Sequence, residues 1–210
     1  APFLMHLAAC FVVIVLNNQL KRYGGDMAIA TFGLTNRFMF FFSMIVMGLN
    51  QGMQPIVGYN YGAKLYPRMA RALKLTAMCA TCVMGVLWLF GLLWPEGFIR
   101  LFTHDEVLIA QSIVPARVML CTMVMVGFPM VVGNFYTSIG MSSKAIFLSL
   151  TRQVLFLIPC ILVLPWLFQR LDITPIWGVG WSLPICDALA SIMAAILVNR
   201  DIRKFMSQTL

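Results

Sequence analysis

Long apolar runs alternate with short polar segments along the whole chain, and this pattern predicts membrane-spanning helices. A helix rises about 1.5 Å per residue, so about 20 apolar residues are needed to cross a hydrocarbon core. Apolar runs of this length must be helical in lipid because a helix satisfies its own backbone hydrogen bonds. The sequence therefore predicts six spans, at approximately 2–20, 28–57, 72–94, 107–134, 145–168 and 176–198.

The composition supports an all-α integral membrane protein. Of the 210 residues, 61% are hydrophobic and only 10% are charged, an apolar excess that one globular core cannot bury. The net charge of +8 does not indicate a nucleic-acid partner, because the charges lie in the short segments between the apolar runs. The chain begins at Ala1 and is apolar by Phe3, so we expect it to be a piece of a longer protein.

The distribution of basic residues predicts the orientation in the membrane. With six spans, one side receives nine basic residues and the other receives four. Basic loops favour the cytoplasm, so the richer side is predicted to be cytoplasmic and the protein to be a multi-pass plasma (inner) membrane protein with both chain ends inside. The nine are Lys64, Arg68, Arg71, Lys74, Lys144, Arg152, Arg200, Arg203 and Lys204; the four are Lys21, Arg22, Arg100 and Arg170.

The segment 48–64, GLNQGMQPIVGYNYGAK, ends the second predicted span. Gly48 and Gly52 are four residues apart, a spacing that lets another helix approach closely in lipid, so we expect both to be buried between helices. Pro55 removes a backbone donor, and the segment then leaves the apolar run through polar residues and glycine. Taken alone, each of these features also fits a helix end followed by a tight turn.

The same segment resembles one that ends the second helix of a lobe in the multidrug and toxic compound extrusion (MATE) transporters. Its Q-P-I and Y-N-Y-G-A strings are similar to those of the second, C-terminal lobe, and the motif positions are Gly52, Gln54, Pro55, Tyr59, Asn60 and Gly62. Weaker similarities occur at WPEGFIRLFTHDEV, SLTRQVLFLIP and LPICDALAS, so the resemblance covers essentially the whole chain. It implies one six-helix lobe of a two-lobe, twelve-helix transporter, with the N-terminal lobe absent.

The resemblance implies a cation-coupled antiporter that exports organic, often cationic, drugs by alternating access, and a role in xenobiotic transport. Its coupling ion would be a proton or sodium, with no other cofactor. Its partners would be membrane lipid, small organic substrates and the missing N-terminal lobe. Members with coupling carboxylates in the C-terminal lobe carry them on several helices, whereas this chain has only Asp187 within a span. The principal cation site is therefore expected in the missing lobe.

Asp187 is the leading candidate for a functional residue, because it lies about 16 Å into the last predicted span and ionisable residues at that depth are costly. Helical spacing places it on a small and polar stripe that we expect to face protein, with an aliphatic stripe facing lipid. The alternative is a structural carboxylate bonded to Arg37 or to backbone near Pro184. The small and polar stripe is Gly180, Pro184, Asp187, Ser191 and Ala194; the aliphatic one is Ile185, Leu189, Ile192 and Ile196.

Further polar residues within the spans are candidates for the coupling-ion site or the substrate cavity. Arg37 is predicted at a depth similar to that of Asp187, and the second span also carries Asn36, Gln51 and Gln54. Ser191 is the nearest oxygen-bearing side chain along the last helix. Arg117 and His6 lie near predicted helix ends and are more typical of structural positions.

No phosphate-binding loop, nucleophile triad, paired carboxylates or metal-ligand spacing occurs, so nothing in the sequence supports an enzyme. Cys79 and Cys82 match C-x-x-C, but at helical spacing they are expected to be small neighbours on one face. Two other functions remain open. One is a flippase for lipid-linked sugars or lipids from the same superfamily, and the other is a non-transporting scaffold or channel-like subunit.

Overall fold

The computed structural model describes residues 2–101, 103–120, 123–172 and 174–207, which form helices joined by short turns with no strand. The order is α1 Pro2–Gly62, α2 Tyr66–Leu93, α3 Pro95–Arg100, α4 Glu106–Leu120, α5 Met123–Ser138, α6 Ser142–Leu150, a π-helical turn Thr151–Leu157, α7 Ile158–Arg170 and α8 Pro175–Ser207. Each of the six predicted spans is helical where it is described, except at Trp94, the last residue of the third.

The first two predicted spans lie in α1 and are separated by a kink at Gly25. Its backbone angles, φ 67° and ψ −165°, are not helical and belong to a region that glycine adopts without steric cost. The fourth predicted span corresponds to α4 and α5, on either side of residues 121–122. Among the described residues, four helical segments are long and apolar enough to cross a membrane: His6–Gly62, Tyr66–Leu93, Ser142–Arg170 and Pro175–Ser207.

The surface of the bundle is apolar, as a membrane-embedded protein requires. Large hydrophobic side chains such as Phe3, Phe11 and Ile14 are more than half exposed along the first half of α1. The main core lies between the second half of α1 and helices α2, α5 and α8. Phe42, Val46, Met53 and Val57 supply the buried stripe of α1 at spacings of four and seven residues.

A close backbone contact fixes the sixth span against the fifth, which also has an irregular helical turn. The ideal Cβ position of Gly178 would lie 2.6 Å from the backbone nitrogen of Pro165 and 2.7 Å from its Cα, so only glycine fits this crossing. The fifth span also contains the π-helical turn, a rare element in which hydrogen bonds run from i to i+5. Arg152 lies within that turn.

A buried acid ties three helices together at one end of the bundle. Asp201 of α8 accepts a 2.7 Å hydrogen bond from the Tyr136 hydroxyl of α5 and pairs with Lys144 of α6. Next to this cluster, Tyr66 stacks on Phe205 with ring centroids 5.5 Å apart. The three helices are therefore held together at the end predicted to be cytoplasmic.

The predicted stripes of the last helix are confirmed, whereas the predicted packing of the glycine pair is wrong. Asp187 and Ala194 are buried, while Ile192 and Ile196 are 59% and 63% exposed. Gly48 and Gly52 are both exposed, and a Cβ atom at either would have open space around it. Packing within this chain instead uses the opposite face of α1, so these glycines do not hold its helices together.

Candidate functional site

The carboxylate of Asp187 forms an ion pair with Arg152, across the contact between α8 and the π-helical turn. Its Oδ1 accepts a hydrogen bond from Arg152 Nε at 2.8 Å and lies 2.6 Å from Arg152 Nη2. The side chain of Asp187 is 8% exposed and that of Arg152 is 32% exposed. Arg152 is ten residues beyond Ser142, about 15 Å along the fifth span, so the pair lies deep in the membrane-spanning region.

This pairing corrects two sequence-based expectations. Arg37, proposed as the partner of Asp187, is exposed and forms no ion pair within the described part of the chain. Arg152, counted among the cytoplasmic charges, lies inside a span. Without Arg152 in the count, eight basic residues on one side still outnumber four on the other, so the charge distribution still favours the predicted orientation.

Ser191 lies close to Asp187 but bonds to backbone. Its hydroxyl is 2.8 Å from the Asp187 carbonyl oxygen and 2.9 Å from the Met125 carbonyl oxygen. The hydroxyl therefore ties α8 to the start of α5 and makes no hydrogen bond to the Asp187 carboxylate. Its single hydrogen is already committed to these carbonyl oxygens.

An open cavity of about 200 Å³ lies beside the ion pair, between α5 and the fifth span. Arg152 and Ser149 form one wall, and Asn134 of α5 forms the other. The Asn134 Oδ1 accepts a 3.3 Å hydrogen bond from Gln54, which places Gln54 at the rim. Two candidate residues therefore contact the cavity wall: Asp187 through Arg152 and Gln54 through Asn134. Neither of the two lines the cavity itself.

The exposed face of the second half of α1 carries most of the other candidates. Arg37, Gly48, Gln51, Gly52, Pro55 and Tyr59 are exposed and recur at the helical spacing of one face. Asn36 is also exposed, beside this face. Arg37 and Gln51 each lie about 16 Å from an end of this helix half. An arginine and an amide at such depth are costly in lipid, so this face requires protein or water against it.

The motif segment remains helical further than expected. The helix continues through Pro55 to Gly62, and the Asn60 side chain donates a 2.7 Å hydrogen bond to the Ile56 carbonyl oxygen. The turn is made afterwards by Lys64, whose φ of 59° lies in the left-handed region. Because Tyr59 is 76% exposed, the motif presents side chains to the surface of the helix bundle.

The remaining sequence candidates lie elsewhere. His6, Arg117, Cys79 and Cys82 are exposed, and the described residues contain no cluster of histidine, cysteine and acidic side chains suited to a metal. A second, largely apolar cavity of about 260 Å³ lies between α1, α4 and α8. Met27 and Phe32 are among the side chains that line it.

Sequence reasoning missed Arg152 and Asn134. The signal for Arg152 was its position inside the predicted fifth span, where an ionised side chain needs a partner. Asn134 gave a weaker signal, an amide at the last position of the fourth predicted span. Its pairing with Gln54, 80 residues away in sequence, depends on tertiary contact that no local pattern encodes.

Solved structures share this fold. The chain superimposes on an inward-facing multidrug resistance MATE family transporter of the MOP superfamily with a TM-score of 0.88 and 18% identity, over 99% of this chain and 47% of that one. It also matches the MATE multidrug transporter DinF-BH, determined in complex with rhodamine 6G, with a TM-score of 0.80 and 37% identity, over 98% of this chain and 45% of that one.

Sequence comparison leads to the same family. The multidrug export protein MepA of Staphylococcus aureus is 26% identical over 196 residues, and that of Staphylococcus saprophyticus is 24% identical. Each alignment covers 93% of this chain and 42% of the relative, so the chain spans less than half the length of these relatives. The MatE family model matches residues 3–162, about three quarters of the chain. The chain therefore belongs to the multidrug and toxic compound extrusion family of membrane transporters.

Proposed function

We propose that this chain is the C-terminal half of a cation-coupled antiporter that exports organic, often cationic, compounds by alternating access. The observation that carries the proposal is the exposed face of α1, where Arg37 and Gln51, about 21 Å apart along the helix, are both exposed within its membrane-spanning part. A second lobe on this face would shield both groups from lipid and enclose a polar cavity between the halves. Transport would then follow from rocking of one lobe against the other.

The names of the relatives support the proposed class of transported compounds. MepA is a multidrug export protein, and DinF-BH is a multidrug transporter solved with rhodamine 6G. In the proposed cycle a proton or sodium ion moves inward as the compound moves outward. Asp187 contributes to coupling, and the principal cation site belongs to the other lobe. We favour a proton, because one carboxyl suffices for a proton whereas sodium requires several oxygen ligands.

Reconstituted full-length protein provides the test. Proteoliposomes should move rhodamine 6G against its gradient when a proton or sodium gradient is imposed. Asp187→Asn should preserve the fold and reduce this transport several-fold or shift its pH dependence, while transport remains above background. Asp172→Asn is the matched control, because Asp172 is exposed in a turn with φ 56°, a conformation that asparagine tolerates.

The outcomes separate the alternatives. Ion-driven dye movement that is equal in Asp187→Asn and the parent at every pH would make Asp187 purely structural. Loss of all coupling in that variant, with dye still bound, would place the main cation site in this lobe. Movement of labelled lipid in place of dye would favour a flippase, and movement of neither would favour a scaffold.

The proposed orientation has a direct test by cysteine labelling. Cysteines at positions 68 and 203 should react with a membrane-impermeant reagent only after the cells are opened, because basic residues favour the cytoplasmic side. Cysteines at positions 26 and 105 should react in intact cells. The background requires serine at the exposed Cys10, Cys79 and Cys82. Labelling of position 203 from outside would overturn the orientation.

A further inference from the structure

We infer that the cavity beside Arg152 binds the carboxylate of an anionic or zwitterionic organic compound. This inference rests on the proposed transport function, because it concerns which compounds the polar face of this lobe accepts. The family resemblance led us to expect cationic substrates, which a cavity wall rich in free hydrogen-bond donors does not favour. The inference therefore assigns this lobe a preference for compounds that carry a carboxylate.

The first support is the unused bonding capacity of Arg152. A guanidinium has five N–H donors, and Arg152 directs Nε and Nη2 toward a single oxygen of Asp187. The remaining N–H groups, on Nη1 and Nη2, form no hydrogen bond within the described part of the chain. One N–H from each of these nitrogens lies along the adjacent edge of the guanidinium, and two parallel N–H groups on one edge can bind a carboxylate.

The second support is the excess of donors in the cavity wall. The Ser149 Oγ accepts a hydrogen bond from Gln153 at 3.5 Å, which leaves its own hydrogen available. Asn134 uses one amide hydrogen for the Met130 carbonyl oxygen at 3.0 Å and retains the other. No acidic side chain is among the described residues that line this cavity. The nearest acid, Asp187, is already paired with Arg152, so the donors that remain free in the wall favour an anion over a cation.

The rest of the wall defines the kind of compound. Pro129, Met130, Leu148 and Ala190 contribute apolar surface around the donors. The cavity is open on one side, so a ligand can place its carboxylate and part of an apolar body inside while the remainder projects outward. Asp187 keeps Arg152 oriented toward the cavity and is a positioning residue for this site.

A matched pair of dyes tests the inference on the full-length protein in phosphatidylcholine nanodiscs. Rhodamine 6G is an ethyl ester, and its de-esterified acid differs only in the free carboxylate. The parent should bind the acid about tenfold more tightly than the ester by fluorescence anisotropy, since a charge-assisted bidentate contact is worth roughly one factor of ten or more. A comparable affinity for both dyes would overturn the inference.

Variants identify the residues responsible. Arg152→Lys removes the planar donor edge and should bring the ratio of acid to ester affinity close to one, with ester affinity changed less than twofold. Ser149→Ala leaves the ion pair intact and should lower the ratio by a smaller factor. Arg203→Gln removes an exposed positive charge near the end of α8 and should leave the ratio unchanged. An unchanged ratio in both Arg152→Lys and Ser149→Ala would overturn the site.

Lipid phosphate is the other source of an oxyanion in a membrane. Loss of the acid preference in phosphatidylglycerol nanodiscs, with ester binding unchanged, would assign the cavity to a lipid headgroup and overturn the solute assignment. These measurements need no ion gradient. A protein that shows the binding preference but no gradient-driven export would refute the proposed antiport and leave this site standing.

Discussion

Gly178→Ala should lower the free energy of unfolding by about 2 to 3 kcal/mol, an overpacking penalty at the upper end of the usual range. The added methyl would lie 2.6 Å from the Pro165 nitrogen and 2.8 Å from the Leu164 carbonyl carbon. Both contacts are with backbone, so no side-chain rotation can relieve them and α7 must move away from α8. Thermal unfolding in detergent, followed by circular dichroism, measures the effect.

Gly180→Ala is the matched control for this substitution. Gly180 lies two residues further along the same helix, and a Cβ atom there meets nothing within 4 Å. Both variants replace a helical glycine with alanine, so they share the gain in helix propensity of about 1 kcal/mol. Equal unfolding temperatures for the two would contradict the close approach of α7 and α8.

Arg152→Met should destabilise the protein by about 2 to 4 kcal/mol, because it leaves the Asp187 carboxylate buried without its partner. The expected cost lies slightly below that of a fully buried pair, since the Arg152 side chain is 32% exposed and water screens part of the interaction. The cost should be smaller for Asp187→Asn, in which the amide oxygen can still accept a hydrogen bond from the guanidinium. Unfolding in detergent compares the variants.

The double variant Arg152→Met with Asp187→Leu separates an unpaired charge from lost packing. Replacing a buried pair with apolar residues is often neutral, so the double variant should be more stable than Arg152→Met alone. If it is no more stable than Arg152→Met, the cost of removing Arg152 comes from its lost contacts with α5 and α8 and not from an unpaired carboxylate. Arg203→Gln should change stability little, because its side chain is exposed.

The fold was largely predictable from sequence because the length of an apolar run determines whether a helix can cross the membrane. The two stripes of the last helix were predictable because the carboxylate of Asp187 needs polar partners within the protein, whereas the aliphatic side chain of Ile192 can face lipid. The helix boundaries were less accurate. A helix can pass through Pro55, whose ring removes only one backbone donor, and the chain turns at Lys64 instead.

The partner of Asp187 could not be predicted, because sequence indicates depth in the membrane but not which helices touch. Arg37 and Arg152 both lie within predicted spans, and only the packing of the fifth span against α8 distinguishes them. The same limit applies to Gly48 and Gly52. Their spacing indicates a close contact but does not indicate whether the contacting helix belongs to this chain, and here no helix of the described residues fills it.

The π-helical turn at Thr151–Leu157 has a consequence for the phase of the fifth span. Ala145 and Ile161 are both buried although they are 16 residues apart, a separation that would set them about 160° apart on an uninterrupted α-helix turning about 100° per residue. Hydrogen bonds from i to i+5 accommodate about one additional residue and so recover about 100° of that difference. Deleting one residue between positions 151 and 157 would shorten the span by only about 1.5 Å. Because the turn already holds one additional residue, this deletion would give a regular α-helix that keeps Ala145 and Ile161 about 60° apart. A deletion outside the turn would instead rotate Ile161 and Pro165 about 100° relative to α8, so the span should tolerate loss of a residue within the turn better than loss of a residue beside it.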